Sequence, residues 1–139
     1  MKNQTLKDKY ALLRQVDIRC GNSFKGIKKF ALCFQNGAVE IKSNASPEKK
    51  ELYPHELQTQ EQLSVLQAEL LALQIEDWEQ SYVGASALDY DEWLVAFAFT
   101  DGERWKFQGV NAFPTAWEQV QSLVKKYSGI YLQEQDDEE

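Results

Sequence analysis

Groups with intrinsic reactivity are few in this chain, and their spacing limits what they can do. Cys20 and Cys33 are the two cysteines and His55 is the single histidine. Together they match no zinc-ligand spacing, and a tetrahedral site would still lack its fourth donor. A cysteine nucleophile needs a neighbouring base. His55 lies in "YPHEL", where a surface or capping role fits, and Cys33 falls in the middle of a strand pattern. No G-x-S-x-G, Walker or G-x-G-x-x-G motif is present. The expectation is a protein that is not an enzyme and uses no cofactor or metal.

Carboxylates are the next candidates. "ALDYDEW" places Asp89, Asp91 and Glu92 close together. A hard cation prefers oxygen ligands at alternating positions around a glycine turn. General acid–base work needs a second polar group that splits the two pKa values. Neither frame is evident, so the carboxylates are expected to cap the approach to a strand. With Trp93, Arg104 and Lys106 they form a candidate interaction surface. "FQGVNAFPTAWEQV" offers a possible anion site, since a turn followed by a helix N-terminus presents free N–H groups. The stronger reading is structural: Gly109 ends a strand, Asn111 turns the chain, and Pro114 holds Phe113 extended over the core.

The bases form a third set. Arg14, Arg19, Lys25, Lys28 and Lys29 make a candidate basic patch, interleaved with Tyr10, Phe24 and Phe30 in the manner that suits single-stranded nucleic acid. Residues 1–50 hold eleven Lys/Arg against four acids, while residues 51–139 hold four against eighteen. This polarity can steer a charged partner, or vanish if the halves interleave in the fold. The net charge of −7 opposes a polyanion overall.

These groups must be positioned by elements that the pattern partly specifies. Asn36-Gly37 between alternating runs is a two-residue hairpin signal, pairing Phe34 with Val39 and Leu32 with Ile41. Asp101-Gly102 reads the same way. It would pair Phe99 with Arg104, Phe97 with Lys106 and Ala98 with Trp105, leaving Trp93, Val95, Phe97 and Phe99 half-buried among Arg and Lys stems. Leu63, Leu66, Leu70 and Leu73 recur at helical spacing behind a Thr59-x-x-Gln62 capping box, predicting a helix over about 59–74. Thr115-x-x-Glu118 heads a second over about 115–128, with Trp117, Val120, Val124 and Tyr127 apolar and Gly129 as the stop. "YALLRQVDIRCG" alternates as a strand from Tyr10 to Cys20, with a helical start over 4–15 as the alternative. It is expected as an edge strand that could pair with another chain, which its Arg and Lys would discourage.

The expected fold is α+β: an antiparallel sheet from the N-terminal strand and the two hairpins, with both helices on one face. Residues 1–132 form one domain, and the acidic 133–139 form a disordered tail. The two halves echo each other, Asn36-Gly37 with Tyr53-Pro54-x-x-Leu57 against Asp101-Gly102 with Phe113-Pro114-x-x-Trp117.

"WLVAFAFTDG" from Trp93, followed by "GVNAFPTAW" from Gly109, is similar to a pattern in a group of small uncharacterised bacterial proteins. In that group a W-x-L strand, a D/N-G turn and G-x-N-x-(Y/F)-P precede a terminal helix. The likeness covers about residues 75–125, including "EDWEQSY" and Asp89. It implies the hairpin–helix order and a bacterial source, and attaches no activity or ligand.

No run approaches the ~20 apolar residues needed to span a bilayer, and the N-terminus lacks an apolar signal core. The expectation is a cytoplasmic protein that binds another protein, as an inhibitor or immunity-type protein with an acidic surface. Nucleic-acid binding through the basic half is the alternative, and a small-ligand site or an enzyme of unknown reaction the third.

Overall fold

Leu13–Asn22 (β1) carries Val16, Ile18 and Cys20 at alternating positions, and all three are at most 1% exposed. Such a strand must be flanked on both sides. A computed structural model describes residues 5–22, 26–44, 55–84 and 91–133, and it places β1 at the centre of a seven-stranded sheet. The others are Gly26–Gln35 (β2), Ala38–Ser43 (β3), Glu56–Leu57 (β4), Ser81–Val83 (β5), Glu92–Phe99 (β6) and Arg104–Val110 (β7), in the order β4-β3-β2-β1-β6-β7-β5. The expected edge strand is therefore central. Its charges mark a solvent-facing side, which a strand with one wet face shows as readily as an edge does.

The α+β class holds, with Gln60–Ala72 (α2) and Trp117–Ser128 (α3) packed on one face of the sheet. A four-residue helix, Leu6–Lys9 (α1), precedes β1 through a 3-10 turn at Tyr10–Leu12. The strand pattern at Tyr10 and Leu12 thus gives way to the helical start. Its signal was Thr5-x-x-Asp8, which forms a complete capping box. The pairing with β6 shifts between Leu13 and Gln15, so Leu13 and Val16 both face inward and Arg14 is exposed. The body of the sheet is antiparallel, and β5 joins parallel to β7.

The first hairpin has the expected register, with Asn36 and Gly37 at φ 55° and 78°, as a type I′ turn requires. The second is displaced by one residue. The Gly102 N–H bonds to the Phe99 carbonyl and the Phe99 N–H to the Glu103 carbonyl, so Thr100, Asp101 and Gly102 form a three-residue loop with Gly102 at φ 91°. Val95 now faces Phe107, Phe97 faces Trp105, and Arg104 and Lys106 face Ala98 and Ala96. A shift of one exchanges the faces. Trp93, Val95, Phe97 and Phe99 are all at most 3% exposed. Arg104 and Lys106 lie on the other side with Ala96 and Ala98, a face over which no helix among the described residues packs.

α2 begins as expected. Thr59 Oγ1 accepts from the Gln62 N–H at 3.1 Å, and the Gln62 side chain returns a bond to the Thr59 N–H. α3 does not: its N-cap is Ala116, without a side-chain cap. The Trp117 N–H turns back to the Pro114 carbonyl, tightening the entry before Thr115 can cap it. Thr59→Ala should therefore cost about 1 kcal/mol. Thr115→Ala, at an exposed turn position, should stay within about 0.5 kcal/mol of wild type, both read from urea midpoints. The internal echo breaks at the same place, because Leu57 lies in β4 rather than at a helix start; Tyr53 and Pro54 lie outside the described residues.

An ion cluster pins the N-terminal segment to the β6–β7 loop. The Lys9 side chain is 3% exposed, with Nζ 3.0 Å from Asp101, in contact with Glu103 and 4.4 Å above the Phe99 ring. Burial opposes the Lys9 charge most strongly, but the bonds and charges of Glu103 and Asp101 together raise its pKa. Asp101 is lowered first by the Glu103 N–H and then by Lys9, and Glu103 first by Lys9. The carboxylates' contribution is thus complete above their ordinary pKa range and lost as pH falls through their depressed folded values. The lysine's is complete below its ordinary pKa and lost as pH rises through the raised one. Urea midpoints should hold level from pH 6 to pH 9 and fall below about pH 4.5, with part of the acid slope absent in Lys9→Met.

Candidate functional site

Two features draw together the residues singled out in the sequence: a polar and aromatic knot at one end of the sheet, and the sheet face that carries no helix.

In the knot, Trp93 packs against Trp78, Tyr82, Phe113 and Trp117 with ring centroids 5.2–6.4 Å apart. Its Nε1 donates to the Ala112 carbonyl at 2.7 Å. The other indoles of this group are also engaged, Trp78 with the Leu73 carbonyl and Trp117 with Gln133. Asn111, at φ 56°, holds Asp91 through two bonds, Asp91 N–H to Asn111 Oδ1 at 3.2 Å and Asn111 N–H to the Asp91 carbonyl at 3.1 Å. The Asp91 carboxylate accepts from Asn22 Nδ2 at 2.9 Å and Gln133 Nε2 at 3.1 Å. Asp91 thus ties β1, the Asn111 turn and Gln133 together. The Asn111 side chain bonds to backbone twenty residues away rather than nearby. Of the three carboxylates, Asp91 and Glu92 are described and Asp89 lies outside the described residues.

Cys20 lies beneath this knot. Burial pushes its thiol up to about 12, with the Asp91 carboxylate adding to the effect, so it is protonated near neutral pH. Burial also raises Cys33, which sits on the other face. Among the described residues no three of His, Cys, Asp and Glu group closely enough to hold a metal ion.

The helix-free face has a simple plan, legible from the ladder register. One row runs Lys42, Ala31, Asp17, Ala96, Lys106 across five strands. The next runs Glu40, Cys33, Gln15, Ala98, Arg104, and on the other side Lys29, Arg19, Leu94, Gln108. Small side chains thus occupy the middle of β2 (Ala31, Cys33) and β6 (Ala96, Ala98), with Arg104 and Lys106 rising from β7, Lys42 and Glu40 from β3, and Arg19 and Lys29 beside them on β1 and β2. Ala96 is only 2% exposed although it belongs to this face, being flanked by Asp17 and Lys106. Asp17 is held by Gln15 Nε2 at 2.9 and 3.0 Å. Toward the β5 edge the face dips into a hollow of about 490 Å³ with Arg19, Ile27, Leu94 and Gln108 in its lining.

The candidate surface residues therefore separate. Glu92, Arg104 and Lys106 lie exposed on this face, Trp93 is buried behind it, and Asp91 is held in the knot. The basic patch also divides. Arg19 and Lys29 stand side by side on the face, whereas Lys28 points to the helix side and donates to the Tyr131 carbonyl at 2.6 Å. Arg14 is exposed at the bulge, and Lys25 and Phe24 lie outside the described residues. Phe30 is 1% exposed and Tyr10 packs edge-on against Phe34, so neither ring shares the face with the cations. Ala31, Cys33, Ala96 and Ala98 were missed in the sequence; their signal was a small residue at every second strand position.

Among the described residues, Arg19, Lys29, Arg104 and Lys106 make no ion pair, although acids outnumber bases by 22 to 15 in the chain. β1 lies between β2 and β6, so the basic and acidic halves of the sequence share one sheet. No helix among the described residues is long and apolar enough to cross a membrane. Comparison of the chain with models of protein families, with curated proteins and with solved structures gave no match.

Proposed function

We propose that this protein acts by binding another protein, and that the helix-free sheet face is the surface it uses. The observation that carries the proposal is the set of four exposed cations, Arg19, Lys29, Arg104 and Lys106, which share a face with small side chains and make no ion pair among the described residues. The small side chains next to Arg104 and Lys106 admit a partner's acidic segment closely, Arg19 and Lys29 add charge on the same face, and such charge gains most from a complementary one. The partner's surface is therefore acidic, and any inhibitory action is exerted through this face rather than through Asp91.

Single-stranded nucleic acid fits less well. Sheet faces that bind it offer rings on which bases stack, and no aromatic side chain occupies this face among the described strand residues.

The test compares wild type with the combined variant Arg19→Gln, Lys29→Gln, Arg104→Gln, Lys106→Gln as bait at low salt. Support is a protein retained by wild type after nuclease treatment, released by salt and lost by the variant. Equal retention on both baits overturns the proposal, and retention abolished by nuclease favours the nucleic-acid reading.

A further inference from the structure

The clefts of the helix side offer a second feature, independent of the sheet face. Between the first turns of α2, the β2–β3 turn and the segment after α1 lies a cleft of about 430 Å³, within the size range of small-molecule sites. Its apolar wall includes Tyr10, Phe34 and Leu63, the β2–β3 turn closes one end, and the α2 residues Gln60 and Gln67 contribute its carboxamides.

None of the described residues lining it is Asp, Glu, Lys or Arg, in a chain that is 27% charged. A charged group carried into such a cleft loses hydration and meets no counter-charge, so the occupant is neutral. Carboxamides present a donor and an acceptor side by side, the fork that reads a base edge. Gln67 makes no side-chain hydrogen bond to a described residue. The Tyr10 and Phe34 rings meet at 90° with centroids 6.0 Å apart. A flat ligand can stack on one ring and take the edge of the other. The walls are held in place, since Phe34 belongs to β2 and Tyr10 follows Lys9, which is clamped to Asp101 and Glu103.

We infer that this cleft binds a neutral nucleobase or nucleoside, stacked on Tyr10 or Phe34 and hydrogen-bonded by Gln67. The test is a titration of the isotope-labelled full chain with adenosine, uridine, AMP and methyl glucoside, followed by amide NMR. At millimolar concentration one of the two nucleosides should shift the side-chain amide signal of Gln67 and the backbone signal of Tyr10. AMP should bind about tenfold more weakly than adenosine, because its phosphate finds no partner. Ser64→Phe, from an exposed helix position on the rim, should remove the shifts while leaving the thermal midpoint unchanged. Gln67→Leu should weaken binding about tenfold. Absence of shifts with both nucleosides, equal shifts with methyl glucoside, or unchanged binding in Gln67→Leu overturns the inference.

Discussion

Trp93→Ala should lower stability by about 4 kcal/mol, close to the whole margin of a domain that is stable by about 5–15 kcal/mol. Trp93 is 3% exposed and is the ring on which Trp78, Tyr82, Phe113 and Trp117 converge. Truncation opens a cavity among four aromatic neighbours and leaves the Ala112 carbonyl without its donor. The urea midpoint should move by about 2 M, given a slope of about 2 kcal/mol per molar for a chain of this size. Gly109 supplies an independent check on the same geometry. A Cβ there would lie 2.4 Å from Trp93 Nε1 and 2.8 Å from the Ala112 oxygen, and the indole cannot retreat without breaking its own hydrogen bond. Gly109→Ala should cost about 2–3 kcal/mol. In a Trp93→Leu background part of that cost should disappear, the contact with the Ala112 oxygen remaining, which a double-mutant cycle would register as coupling. Equal costs in the two backgrounds would mean that the glycine answers to something other than the indole.

The second large effect concerns association. Reversing Arg19, Lys29, Arg104 and Lys106 to glutamate should slow capture of the proposed acidic partner by about tenfold to a hundredfold at low salt. The wild-type rate should fall steeply as salt is raised, whereas the variant's should not. All four side chains are exposed and unpaired among the described residues, so the urea midpoint should be nearly unchanged. Dissociation should change less than association, because exposed charges act chiefly on encounter. A variant with an unaltered on-rate would place the partner elsewhere on the molecule.

Local chemistry decided how far the sequence could be read. The β2–β3 hairpin was legible because Asn36 and Gly37 both accept positive φ, which fixes loop length and register together. Asp101-Gly102 carries the same signal, yet one glycine at positive φ also closes a three-residue loop. That one residue exchanged the two faces of β7. The exchange is why Trp93 looked like a neighbour of Arg104 and Lys106, from which the sheet in fact separates it. The helix stripes were read correctly because burial of Leu66, Leu70, Val120 and Val124 follows simple periodicity. The missing cap of α3 was not legible, since Thr115-x-x-Glu118 has the right residues and only the Pro114 turn displaces the start by one.

The rest depended on contacts distant in sequence. The centrality of β1 follows from its pairing with β6, about eighty residues downstream, and alternation alone cannot distinguish that from an edge. The three-residue β5 is too short to leave a pattern. Asp91 and Asn111 find each other only once the ladder is complete. The candidate face was half legible: its cations were visible in the sequence, but the small residues between them gained meaning only from the rows of the sheet.

The central claim is that the partner sits on the helix-free face. A photo-cross-linking side chain placed at Ala98, between Gln15 and Arg104 in its row, tests it most directly against the same group at Ser122, an exposed position on α3. Irradiation in an extract of the native host should join a protein partner to the Ala98 probe, at low salt and after nuclease treatment. It should not do so at Ser122, nor at Ala98 once the four cations are neutralised. A cross-link to the partner at Ser122 with none at Ala98 would contradict the claim.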